Sequence, residues 1–156
     1  MKKIIIILTF IFLLTGCDNN ISNEKFYLDD KYYNEGNYIE INNEQMEELK
    51  EKKESYLLFT YNSYCSFKIP CDNVFENVMK KYKIDMYSIP FELAKETYIK
   101  NTIKYAPSVL IINKGKIMAY LDSEKDEDIN KFQDEKEFES WLDKYIYLEK
   151  KVIDNQ

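Results

Sequence analysis

Ser55-Tyr56-Leu57-Leu58-Phe59-Thr60-Tyr61 is an unbroken apolar and β-prone run, the pattern of a central strand covered on both faces. Beyond it comes Cys65-Ser66-Phe67-Lys68-Ile69-Pro70-Cys71, and then Val74, Phe75, Val78, Met79 and Tyr82 recur at helical spacing. Pro70 is placed to be the first helical residue, where a missing N–H costs nothing. A buried strand, a pair of cysteines and a core-facing helix therefore follow one another directly.

Working outward, the upstream run Tyr38-Ile39-Glu40-Ile41 alternates like a short strand, and Asn42 or Asn43 can cap a helix over residues 44–53. Downstream, residues 84–89 read as a strand and 91–103 as a helix, with Ala94, Tyr98 and Ile99 among its buried candidates. The β-prone runs 108–112 and 116–121 flank the glycine-containing turn Asn113-Lys114-Gly115, which predicts a hairpin. The acidic stretch 122–128 reads as a solvated loop and lacks the ligand spacing of an EF-hand. Phe138, Trp141, Leu142, Tyr145 and Ile146 mark a last amphipathic helix. Parallel strands joined by helices must bury both faces of their sheet. The expected architecture is thus a three-layer α/β/α fold over residues 37–150, its central sheet mixed because of the hairpin.

The chain opens with Met1, Lys2 and Lys3, runs through apolar residues to Leu14, and reaches Leu14-Thr15-Gly16-Cys17 before turning polar at Asp18. A positive start, a short apolar run and small residues at a cut site form a cleavable signal, and the run falls short of the ~20 residues a stable span needs. The ending resembles the lipobox of bacterial lipoproteins. That resemblance implies a signal peptide over residues 1–16, acylation of Cys17 with fatty acids such as palmitate, and residence at the outer face of the cell membrane, since two or more acyl chains anchor stably. Residues 17–36 then read as a tether, with Phe26, Tyr27, Leu28, Tyr32 and Tyr33 able to pack on the domain edge.

The composition excludes several classes of function. With 28 acidic and 22 basic residues the net charge is −6, and loss of Lys2 and Lys3 takes it to −8, which disfavours nucleic acid and anionic lipid headgroups as partners by charge alone. The absence of His removes Ser-His-Asp and Cys-His nucleophiles, and no metal or other cofactor is implied. Setting Cys17 aside leaves Cys65 and Cys71 as a pair in an exported domain, where thiols are prone to oxidise.

Over roughly residues 37 to 147 the sequence resembles the thioredoxin family. Three features carry this: Tyr64-Cys65 between a buried strand and a helix, Tyr105-Ala106-Pro107-Ser108 leading into a strand, and the hairpin around Asn113-Lys114-Gly115. The resemblance implies Cys65 as the attacking thiol, Cys71 as the resolving thiol, and Pro107 as a cis-proline facing them. The family spacing is Cys-x-x-Cys, whereas five residues separate the cysteines here. Cys65 can be aligned with the family's first Cys, leaving Lys68 at the second position, or Pro70-Cys71 with the Pro-Cys half, making 66–69 an insertion. The buried acid of many members is replaced by the apolar run Leu57, Leu58 and Phe59.

Two functions fit this pattern. One is a membrane-anchored thiol–disulfide oxidoreductase, a monomer exchanging disulfides with exported proteins. The other is a non-catalytic lipoprotein of the same fold that binds an envelope or export partner and uses Cys65 and Cys71 as a structural disulfide, worth about 2–3 kcal/mol by loop closure.

Overall fold

The computed structural model describes residues 24–62 and 70–151. The signal and lipidation readings at 1–17, and Cys65 and Lys68 with them, lie outside the described residues. In chain order the elements are β1 (Tyr38–Glu40), α1 (Asn43–Glu51), β2 (Tyr56–Tyr61), α2 (Cys71–Tyr82), β3 (Met86–Pro90), α3 (Phe91–Ala94), β4 (Ser108–Asn113), β5 (Lys116–Asp122), α4 (Asp126–Ile129) and α5 (Glu135–Asp143). The sheet order is β1-β3-β2-β4-β5. β3 lies parallel to both β1 and β2, while β4 runs antiparallel to β2 and β5 antiparallel to β4. This is the mixed central sheet that the sequence predicts.

Successive side chains of a strand point to opposite faces, and in β2 this divides two cores of different character. Phe59 meets Phe75 of α2 edge-on at 5.5 Å, and Phe75 in turn packs on Phe138 of α5 at 4.4 Å, so α2 and α5 cover one face with aromatic contacts. Such pairs add about 0.5–1.5 kcal/mol beyond the area they bury. On the other face Tyr56 lies against Tyr32 and Tyr87, and its hydroxyl meets that of Tyr98 at 3.2 Å. There Glu47 of α1 accepts a hydrogen bond from the Tyr98 amide at 2.8 Å, which ties α1 to the segment after α3.

Local chemistry accounts for the boundaries. Asn42 and Gln45 form a reciprocal capping box at the start of α1, resolving the choice between Asn42 and Asn43. Gly115 adopts φ +74° in the hairpin, and a Cβ there would sit 2.8 Å from the Lys50 carbonyl oxygen, because the turn lies against the end of α1, held there by a Gly115 amide to Glu54 carbonyl bond in the loop that follows α1. Pro70 sits one residue outside α2, with extended ψ, and Cys71 is the first helical residue.

Three expectations are corrected. The helix read over 91–103 stops at Ala94, and the chain continues in turns whose amides bond three residues back, as in Thr97 to Ala94 and Lys100 to Thr97. Thr97, Ile99, Thr102 and Ile103 are β-branched and resist helix, and the Thr97 hydroxyl competes for the Ala94 carbonyl at 2.8 Å. The acidic stretch 122–128 is not a solvated loop throughout: Asp122 and Asp128 are buried, Asp128 accepts from the Asp122 amide, and Lys131 pairs with Asp128 at 3.0 Å. The tether read over 17–36 is body rather than spacer from Phe26 onward. Phe26 bridges to Ile146, and Leu28 and Tyr32 are buried. Gly36 and Asn37 direct their amides at the buried Asp85 carboxylate, at 2.9 and 2.8 Å, which closes the segment onto the sheet.

Candidate functional site

The carboxyl ends of β2 and β3 point the same way, and the crevice outside such ends is where open α/β sheets place their ligands. Here that crevice is a cleft of about 300 Å³. Its floor and walls come from three places: Phe59, Tyr61 and Asn62 at the end of β2, Pro70, Cys71 and Asp72 at the start of α2, and Pro107 before β4. Two of the three cysteine-site residues expected from sequence, Cys71 and Pro107, are thus brought together.

Cys71 is only 1 % exposed, held between the cleft and the core side chains of its own helix, Val74 and Phe75. The Ala106–Pro107 peptide is cis, as the resemblance implies. Its loop is secured on both sides: Asn62 donates to the Ala106 carbonyl at 3.5 Å, and the Ser108 hydroxyl donates to the Tyr105 carbonyl at 2.7 Å. Pairing of Thr60 with Ser108 carries the end of β2 alongside that loop.

The electrostatics are mixed. Amides at a helix start favour a thiolate, and Pro70 supplies no side-chain cap to occupy them. Asp72 in the same turn opposes that charge. The Tyr38 hydroxyl donates to the Asp72 carbonyl at 3.1 Å, and burial, followed by the neighbouring ionisable groups of Asp72, Cys71 and Glu76, pushes its ionisation well above the usual phenol range. Tyr61 donates to Glu40 at 3.3 Å, and burial together with Glu40 raises it too. Both phenols therefore remain protonated donors at neutral pH. Phe59 presents an aromatic ring to the cleft, so the central strand offers no carboxylate there.

α2 thus opens on Cys71, with Pro70 immediately before it. Sequence reasoning did not single out Tyr38, Tyr61, Asn62 or Asp72. Alternation along β2 puts Phe59 and Tyr61 on one face, a signal that was present. Tyr38 reaches α2 only because β1 joins the sheet beyond β3, and nothing local encodes that order. Among the described residues, no group of three Cys, Asp or Glu side chains is placed to hold a metal ion, and no helix is long and apolar enough to cross a membrane.

No family model matches the chain, and no curated protein matches it. Solved structures do. A thioredoxin from Schistosoma mansoni is 18% identical with a TM-score of 0.51, the match covering 72% of this chain and 99% of that one. A mutant thioredoxin from Halobacterium salinarum is 12% identical with a TM-score of 0.51, covering 77% and 96%. At these identities the likeness establishes the fold: the protein has a thioredoxin-like domain.

Proposed function

We propose that the protein is a membrane-anchored, extracytoplasmic thiol–disulfide oxidoreductase that acts on exported proteins through Cys65 and Cys71. The observation that carries this is the cleft at the end of β2, where the buried Cys71 at the start of α2 and the cis-proline Pro107 line one space. The lipobox-like Leu14-Thr15-Gly16-Cys17 supports the anchor.

In the reducing direction, the Cys65 thiolate attacks one sulfur of a substrate disulfide, forming a mixed disulfide and expelling the other substrate sulfur as thiolate. Cys71 then attacks the Cys65 sulfur, which releases the reduced substrate and leaves Cys65 and Cys71 joined. The two electrons gained by the substrate are those lost by the pair, and a thiol reductant must restore it. Run backward, the same steps oxidise a dithiol.

The test is the reduction potential of the Cys65–Cys71 pair, measured against glutathione buffers. A working pair gives a value between about −120 and −270 mV, the range of known exchangers. A value below about −300 mV marks a structural disulfide and turns the reading to the non-catalytic, partner-binding lipoprotein.

A further inference from the structure

Among the described residues the exposed large apolar side chains are Tyr27, Ile39, Tyr105 and Tyr147. Two of these four meet: Tyr27 and Tyr147 stack with ring centroids 4.3 Å apart. The stack is built rather than incidental. The amide of Tyr147 bonds the Phe26 carbonyl, and the Tyr33 hydroxyl donates to the Tyr147 carbonyl at 2.6 Å. Lys25 lies 5.9 Å from the Tyr147 ring. Together with Tyr82 and Leu148 the two rings line an open groove of about 670 Å³.

Two facts place this groove. Tyr82 is the last residue of α2 and Cys71 the first, so groove and cleft sit at opposite ends of a helix about 18 Å long. The chain is strapped to the body from Phe26, and only residues 18–25 separate it from Cys17, a reach of at most about 32 Å. An anchor on Cys17 therefore keeps the Tyr27 end of the domain within that distance of the bilayer.

Tyrosine rings with a lysine beside them suit the headgroup layer, where one end of the side chain is apolar and the other wet. The acidic rim is largely offset, since Asp143 is paired with Lys25 at 2.7 Å and Glu139 with Lys81 at 2.6 Å, and Lys150 joins Glu149 in the groove lining. We infer that the Tyr27–Tyr147 face docks on the lipid headgroups of the membrane that holds the anchor, so that the cleft at the far end of α2 opens away from the bilayer toward exported proteins. This rests on the anchoring proposed above.

The test uses the full lipidated chain in phosphatidylcholine vesicles containing brominated acyl chains. In Tyr27→Trp and, separately, Tyr147→Trp, most of the emission added over the wild-type Trp141 signal should be quenched. In Tyr105→Trp, beside Pro107, the added emission should persist. Fatty-acid labelling of Cys17 is followed in the same preparations. Label present with no quenching at either position, or with equal quenching at all three, overturns the docking inference and leaves the anchor standing. Absence of label on Cys17 overturns both.

Discussion

At the scale of single residues, accessibility separates the two thiols. Cys71 lines the cleft but is only 1 % exposed and shares its helical turn with the core, so it offers a substrate disulfide almost no surface. In the proposed exchange, attack then falls to Cys65, with Cys71 completing it. Cys71→Ser should therefore accumulate mixed disulfides with exported proteins through Cys65, visible as bands on non-reducing gels that collapse with reductant, whereas Cys65→Ser should trap few or none. Equal trapping by both variants would contradict the assignment of roles. Of this site, Cys71 and Pro107 were legible because cysteine and a proline ahead of a strand carry chemistry in their identity. Of Phe59 and Tyr61 only the shared face was, and Asp72 was not, because each is an ordinary strand or helix residue until the fold brings β2, α2 and the Pro107 loop to one cleft.

At the scale of elements, legibility tracked how local the cause was. The capping box at Asn42, the apolar run of β2 and the turn Asn113-Lys114-Gly115 act over a few residues, and each formed where its pattern lay. The segment 91–103 failed because its apolar spacing imitates a helix while its β-branched residues and the Thr97 hydroxyl favour turns. Glycine at 115 combines both kinds of cause. Its positive φ belongs to the hairpin and was legible in the turn, but the close approach to Lys50 comes from α1, which is remote in sequence. Gly115→Ala should accordingly cost about 1–3 kcal/mol, from left-handed backbone strain added to displacement of the hairpin from the end of α1. A urea midpoint lowered at unchanged m-value checks it; a cost of only a few tenths would mean that the turn and α1 separate freely.

At the scale of the whole molecule, the N-terminal strap and the sheet body are joined through Glu54, which sits between α1 and β2. Its carboxylate accepts from the Tyr32 hydroxyl and pairs with Lys31 at 2.6 Å, both residues belonging to the strap. Burial works against the charged form, yet Lys31 and the Tyr32 hydroxyl outweigh it and hold the group below its ordinary value of 4.5. A carboxylate depressed in the folded state stabilises that state above its unfolded pKa, and the contribution is lost as pH falls through the folded value. Stability at neutral pH should thus include this link in full and lose it on acidification below about 4.5. Glu54→Gln keeps a hydrogen-bond acceptor for Tyr32 and removes the charge, so it should be less stable than wild type at pH 7 by about 1 kcal/mol. The two proteins should converge as the wild-type carboxylate protonates. Urea titrations at neutral pH and at successively more acidic values read that gap directly. A gap that stays constant with pH would show that shape and packing at Glu54, rather than its charge, hold the strap to the body.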